Sequence, residues 1–233
     1  LGGIILGIYT GLLGYVGAKT GLSLDLLSQR AFGEKGSYLP SAMTSFTQIG
    51  WFGVGSFVSG GTATPNFARF AKDGKSGAIT TVVAFFIGNS LMFFFGAVSS
   101  IFVGGNDIFE VMVRLNLFYL AVLVLGLNIW TTNDNALYTA GLGLANIFHQ
   151  RKKPMVLLSG IIGTVASVWL YYNFCGWLNI LNCTLPPVGM ILVLAYFMNK
   201  EDFETDQPKL KTVDWFAVAG VILGAIVANL LHW

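Results

Sequence analysis

Residues 78–103 read AITTVVAFFIGNSLMFFFGAVSSIFV and contain no charged side chain. An apolar stretch of this length predicts a helix that crosses a lipid bilayer, because a spanning helix needs about 20 apolar residues. Similar runs bounded by charges recur at about 1–18, 40–63, 117–147, 155–173, 179–198 and 213–231. None of them alternates like a barrel strand, so the sequence predicts an all-α, polytopic bundle of membrane helices.

The composition of the chain leads to the same class of protein. Of its 233 residues, 55% are hydrophobic and 10% are charged, whereas soluble domains carry about 25% charged residues. A net charge of +2 provides no field that would attract polyanions. These values argue against a soluble enzyme, a disordered chain and a nucleic-acid-binding protein.

Motifs for catalysis or for a structural metal are missing from the sequence. Cys175 and Cys183 are too few for a disulfide framework, and no Cys/His cluster has the spacing of a zinc site. The sequence also has no HExxH motif, P-loop or GxGxxG motif. A transporter is therefore expected rather than an enzyme, with a channel or a structural membrane subunit as the competing class.

The basic residues pose a conflict of topology. Twelve of the 13 Lys and Arg residues lie in four loops, at 19–35, 69–75, 151–153 and 200–211, and the positive-inside rule places all four loops in the cytoplasm. The first two loops are separated by one apparent crossing, 40–63, which would place them on opposite sides. Either this run re-enters the membrane and returns, or an even number of crossings is missing within it. Glycines and a proline interrupt the run, at Gly50, Gly53, Gly55, Gly60, Gly61 and Pro65.

The densest group of polar residues inside a predicted crossing lies in LGLNIWTTNDNALY, residues 125–138. Four of these residues follow helical spacing and form one stripe: Asn128, Thr131, Thr132 and Asn135. We expect the stripe to face the bundle interior, where neutral oxygens suit a monovalent ion such as Na⁺, or where they join helices by hydrogen bonds. Asp134 is either a functional intramembrane charge, a helix cap or a residue of a hydrated vestibule.

Two further patterns have both a functional and a packing interpretation. Gln48 and Trp51 share a helix face, and an amide beside an indole suits a planar heterocycle, although an aromatic residue in a membrane helix more often packs. The Gly60–Gly61 break favours a ligand nearby, since an unwound helix exposes backbone groups. The GxxxG spacing of Gly3, Gly7 and Gly11 is typical of close helix packing, with a ligand site as the less favoured alternative.

Several strings in the chain resemble the nucleobase–cation symporter family: GWFGVG (50–55), SFVSGGTAT (56–64), FFIGNSLMFFFG (85–96), LGLNIWTTNDNALY (125–138), SGIIGTVASVWLYYNF (159–174) and PPVG (186–189). The resemblance extends over essentially the whole chain. It implies a LeuT-like transporter of twelve helices, in which two inverted five-helix repeats hold substrate and sodium near the membrane midplane. NIWTTNDNALY favours cytosine as the substrate.

The resemblance also implies which residues form the site. Trp51 and Phe57 would sandwich the pyrimidine ring, and Gln48, Ser59 and Asn133 would supply hydrogen bonds to its edge. Na⁺, the coupling ion, would be held by Asn128, Thr131 and Thr132. The protein would then be a sodium-coupled symporter that imports cytosine by alternating access. Purines, hydantoins or allantoin are the alternative substrates within the family.

The chain departs from the family pattern in its number of helices. We expect one transporter domain over residues 1–233, without the first, fourth, fifth and last helices of the family. The fourth and fifth would be missing at the junction of Gly55 and Ser56, and two missing crossings are the even number that the basic loops require. The resemblance further implies a monomeric, multi-pass protein of the bacterial cytoplasmic membrane.

Overall fold

The computed structural model describes residues 2–54, 63–104, 108–206, 208 and 210–231, and these residues form helices and turns without a strand. The long helices are α1 (Gly2–Thr20), α3 (Tyr38–Val54), α5 (Gly74–Val103), α7 (Phe118–Phe148), α8 (Lys152–Tyr172), α9 (Phe174–Met198) and α11 (Trp215–Leu231). Short helices connect them: α2 (Leu24–Phe32), α4 (Pro65–Ala68), α6 (Ile108–Arg114) and α10 (Lys200–Glu204). Each predicted run corresponds to one long helix, which confirms the all-α bundle.

Three of the described helices are long and apolar enough to cross a bilayer: Gly74–Val103, Lys152–Leu170 and Phe174–Met198. A shorter apolar helix covers Trp215–Leu230. The exposed surface is rich in large apolar side chains, such as Phe102, which is 83% exposed, and Phe216, which is 92% exposed. A surface of this kind is stable in lipid and not in water, because apolar area in contact with water costs free energy.

The glycine stripe of α1 packs against α5. A Cβ atom on Gly14 would lie 2.5 Å from the Thr81 Oγ1, and one on Gly11 would lie 2.6 Å from the Val82 Cγ2. These distances are shorter than any side chain tolerates, so glycine is what permits the two helices to approach. The packing interpretation of the stripe is therefore confirmed for its described part.

A second group consists of α3, α7 and α8, which pack against one another. The Ser45 hydroxyl on α3 donates a 3.2 Å hydrogen bond to the Ala140 carbonyl of α7, and a Cβ on Gly143 would lie 2.1 Å from the Ser45 Oγ. Because Tyr38, at the start of α3, contacts His149, at the end of α7, the two helices are antiparallel. α9 contains Pro186 and Pro187 and packs against α1 and α11.

The four basic loops lie at one end of this bundle. Arg30 in the first loop donates hydrogen bonds to the carbonyls of Asp202, at 2.6 Å, and Thr205, at 2.9 Å, in the fourth. The second loop is tied to the first where the Leu24 amide donates to the Asn66 Oδ1 at 2.8 Å. The third follows His149, whose Nε2 is 2.7 Å from the Tyr38 hydroxyl oxygen. The expectation that all four loops share one side of the membrane is met.

The structure differs from the sequence-based expectations at two boundaries. Residues 200–211 were expected to be a loop, but they contain α10, whose Phe203 is only 2% exposed and packs on Tyr196 at a ring distance of 5.8 Å. α9 begins at Phe174, directly after α8, rather than near residue 179. At α10 the burial of Phe203 depends on Tyr196 of α9, which local polarity does not reveal.

The glycine-rich run at 40–63 is helical up to Val54, where α3 ends. Gly50 and Gly53 do not interrupt the helix. The predicted junction between Gly55 and Ser56 lies outside the described residues, so the expected loss of two helices there stays a prediction.

Candidate substrate and ion site

The packing of α3 on α7 places the two predicted amide side chains of the substrate site near each other. Ser45 lies opposite Ala140, and one further turn along the antiparallel pair places Gln48 opposite Ala136. Asn133 is one turn beyond Ala136 on α7. Gln48 is 7% exposed and Asn133 is half-buried, and by this register they lie on the sides of α3 and α7 that face each other.

Asn133 has a polar atom without a partner. Its side chain is half-buried, and the Oδ1 is buried with no hydrogen bond in the structure. An unpaired buried acceptor costs roughly 1–3 kcal/mol. A ligand that donates a hydrogen bond at this atom would recover that free energy.

The remaining predicted substrate residues lie at or beyond the end of α3. Trp51 belongs to α3, but its side chain is outside the described part of the structure. Phe57 and Ser59 lie within residues 55–62, which are also outside it. The aromatic sandwich therefore stays a prediction, although the position of Trp51 one turn after Gln48 on the same helix agrees with the expected shared face.

The predicted ion ligands lie on α7, and their surroundings differ from the expectation. Asn128 and Thr131 are exposed and Thr132 is half-buried. Asn135 is exposed as well. The stripe was expected to face the bundle interior, but this side of α7 is open because no helix among the described residues covers it.

The oxygens of the stripe suit part of a sodium shell. The Thr131 Oγ1 donates to the carbonyls of Leu127 and Asn128, each at 3.1 Å, which leaves its lone pairs available to a cation. Together with the Thr132 hydroxyl and the Asn128 amide, this gives three neutral oxygens within one turn of helix. Neutral oxygens favour a monovalent ion over Ca²⁺, and the other ligands must come from elsewhere.

Asp134 is exposed on α7 and interacts electrostatically with Lys152 at the start of α8. An exposed carboxylate that a lysine influences at longer range agrees with the vestibule alternative. It does not match a charge that is buried among the ion ligands.

A buried polar cluster at the basic end was not indicated by any pattern in the sequence. Asp25 of α2 is 6% exposed and accepts a 2.6 Å hydrogen bond from the Ser41 hydroxyl. Asn146 of α7 donates to the Ser41 Oγ at 2.9 Å and the Ser37 Oγ at 3.1 Å, and accepts from the Gln29 Nε2 at 2.6 Å. Burial raises the pKa of Asp25 to about 6, against the opposing effect of the Ser41 hydrogen bond. The cluster joins α2, α3 and α7.

Comparison with known proteins assigns the bundle to a family. The family described as "Permease for cytosine/purines, uracil, thiamine, allantoin" matches residues 1–64 and 54–231. The chain belongs to this family of permeases. Cytosine permeases of Escherichia coli K12, O6:H1 and O157:H7 are each 36% identical to it, over all of this chain and 77% of the relative.

The permease is shorter than the region over which it aligns. The alignment with these relatives extends over 324 residues, although the chain has 233. The relatives therefore carry internal sequence that has no counterpart in the permease. The two matched segments of the family meet at residues 54–64, around the predicted Gly55–Ser56 junction.

Proposed function

We propose that the permease imports cytosine together with Na⁺ across the inner membrane of a bacterium. Three similar curated proteins are named cytosine permease. The unpaired, buried Oδ1 of Asn133 supports a polar substrate that donates a hydrogen bond. By helical register, Asn133 lies on the side of α7 that faces Gln48 of α3.

The chemistry of cytosine fits the two amides. Its amino group donates, and its ring N3 and carbonyl accept, so it needs both kinds of partner along one edge. A carboxamide supplies a donor and an acceptor. In the proposed binding mode the Asn133 Oδ1 accepts a hydrogen bond from the cytosine amino group. Gln48 forms further hydrogen bonds along the same edge, and Trp51 stacks on the ring.

Sodium coupling in this proposal acts through α7. Thr131 and Thr132 lie within one turn before Asn133 on the same helix, and Asn128 lies about one and a half turns before it. An ion bound to them would order the segment that carries the substrate amide. Each ligand would then raise the affinity for the other by the same factor, as linkage requires, and alternating access would carry both across.

Uptake of radiolabelled cytosine into proteoliposomes, with and without a Na⁺ gradient, tests the proposal. We expect saturable uptake that needs Na⁺ and that falls on the order of tenfold in Asn133→Ala, because one hydrogen bond is lost. Asn182→Ala, which changes an exposed asparagine of α9, is the matched control and should transport normally. Uptake that is unchanged without Na⁺ would contradict the coupling.

The same uptake assay distinguishes two alternatives to the import of cytosine with Na⁺. A panel of unlabelled purines, uracil, allantoin and hydantoins, added in competition with labelled cytosine, would reveal a different substrate of the family. Flux that rises linearly with cytosine concentration would indicate a channel, and no flux at all would indicate a structural subunit.

A further inference from the structure

Two cations converge on one tyrosine at the basic end of the bundle. The Arg69 guanidinium, just after α4, donates a hydrogen bond through Nη2 to the Tyr138 hydroxyl of α7. The Lys152 Nζ at the start of α8 lies 3.4 Å from the centre of the same ring. Three segments therefore meet at Tyr138 and bring two positive charges together.

This pair of cations has no matching anion in the described part of the chain. No carboxylate oxygen there lies within 4.0 Å of either Arg69 or Lys152. Asp25 and Asp134 interact with them only at longer range. The Arg69 Nε is in addition buried without a hydrogen-bond partner. Two adjacent cations and an unpaired donor form a site that attracts an anion.

An apolar groove leads away from these cations into the membrane. It lies between α7 and α8, has a volume of about 410 Å³, and is lined by Leu137, Val156, Leu157, Gly160, Ile161, Thr164 and Val165. Leu137 is adjacent to Tyr138, and Val156 is one turn of helix from Lys152. From Val156 to Val165 the groove follows α8 for about 14 Å, which is close to the roughly 15 Å depth of one leaflet's hydrocarbon layer.

We propose that this site binds an anionic phospholipid of the cytoplasmic leaflet, with its phosphate at Arg69 and Lys152 and an acyl chain in the groove between α7 and α8. A phosphate beside the two cations would accept from the Arg69 Nε and neutralise the charge. Basic pockets between helices on the cytoplasmic side are suited to such headgroups. The positive-inside rule places this end of the bundle there.

Phe67 and Phe70 extend the site at the membrane surface. Phe67 is 41% exposed and Phe70 is 73% exposed. The Phe67 ring lies 5.9 Å from the Tyr138 ring, and the Arg69 guanidinium carbon lies 4.7 Å from the centre of the Phe70 ring. Exposed Phe rings insert at the boundary between headgroups and acyl chains, so they would hold the neighbouring cations near the depth of the phosphates.

Native mass spectrometry of the detergent-purified permease tests this proposal. The protein is mixed with phosphatidylglycerol or phosphatidylcholine, and the bound lipids are counted. We expect preferential retention of phosphatidylglycerol, and a fall in its apparent affinity on the order of thirtyfold in the double variant R69Q/K152Q, about fivefold for each cation removed. Lys153→Gln, which removes an exposed cation next to Lys152, is the matched control. Equal retention of phosphatidylglycerol by the double variant and the control would overturn the proposal.

A groove variant separates a lipid from a free phosphate. A Cβ on Gly160 would lie 3.5 Å from the Leu137 Cδ2, an ordinary contact, so Gly160→Leu should fold and fill the groove. We expect it to lose phosphatidylglycerol. If inorganic phosphate competes as well as the lipid and Gly160→Leu has no effect, the site binds a free anion and the lipid assignment is wrong. A change in oligomer mass with an unchanged lipid count would indicate that a second copy of the chain occupies the groove. This result would also overturn the lipid assignment.

Discussion

The Ser41 hydroxyl of α3 donates a 2.6 Å hydrogen bond to the carboxyl group of Asp25 in α2. Both side chains are buried, at 1% and 6% exposure, and Arg69 is the charged group that acts on this carboxyl. A carboxyl in this environment holds its proton more tightly than in water, because burial penalises the charged form. The stability of the basic end is consequently linked to pH.

We predict that Asp25 makes the permease less stable at pH 7.5 than at pH 5. Its pKa is about 6 in the folded protein and 3.8 ordinarily, so the folded state binds the proton more tightly. The free energy of unfolding should therefore fall as pH rises from 3.8 to about 6, by up to about 3 kcal/mol. Asp25→Asn should remove this dependence and unfold at a higher temperature at pH 7.5, as thermal unfolding in detergent would measure. Glu201→Gln, on the exposed side of α10, should keep it, and the same pH dependence in Asp25→Asn would contradict the prediction.

Asn146 should be the residue of the buried cluster that is least tolerant of substitution. Asn146→Ala removes hydrogen bonds to Gln29, Ser37 and Ser41 together. We expect a loss of about 2 kcal/mol or more, since three hydrogen bonds are lost together and each contributes about 0.5–1.5 kcal/mol. The melting temperature should drop accordingly, whereas Gln150→Ala, at an exposed position beyond α7, should leave it unchanged.

Two glycines of α7 should respond in opposite directions to alanine. A Cβ on Gly143 would meet the Ser41 carbonyl oxygen at 2.8 Å and the Ser45 Oγ at 2.1 Å, and a backbone atom cannot move aside, so Gly143→Ala should destabilise the packing of α3 on α7. Nothing lies within 4 Å of a Cβ on Gly126, so Gly126→Ala should be neutral or stabilising by up to about 1 kcal/mol. The melting temperatures of the two variants, compared with that of the parent, test this prediction. Equal shifts would show that the close contact has no energetic role.

Thr132 provides a test of the ion site through the Na⁺ dependence of uptake. Thr132→Ala should raise the Na⁺ concentration for half-maximal cytosine uptake on the order of tenfold, because one oxygen ligand is lost. Thr132→Ser keeps the hydroxyl and should behave like the parent. If both variants shift the Na⁺ dependence equally, the effect comes from packing and not from coordination.

The parts of the fold that depend on local pattern were predictable. Long apolar runs located the seven long helices, and the spacing of Gly7 and Gly11 indicated the contact of α1 with α5. The distribution of Lys and Arg indicated that four loops lie at one end. These features follow from hydropathy, spacing and charge, which operate within one segment or between a segment and the membrane.

The features that the sequence did not reveal depend on distant partners. Gln29 and Asn146 are 117 positions apart, and nothing near either residue indicates the other. Phe203 was hidden in a polar segment because its burial depends on Tyr196. For the candidate site, the resemblance implied a joint role for Gln48 of α3 and Asn133 of α7, which stays a prediction. The exposure of Asn128 and Thr131 was not predictable, since it depends on which helices are present to cover α7.

The gathering of four basic loops at one end also has an electrical consequence. A bacterial membrane holds a potential that is negative inside, and each elementary charge is stabilised by about 2.3 kcal/mol per 100 mV on the favoured side. Turning the bundle over would move Arg30, Arg69 and Lys152, with the other cations of that end, against this potential. A potential that is negative on the side of the basic loops would therefore add to the positive-inside preference for this orientation.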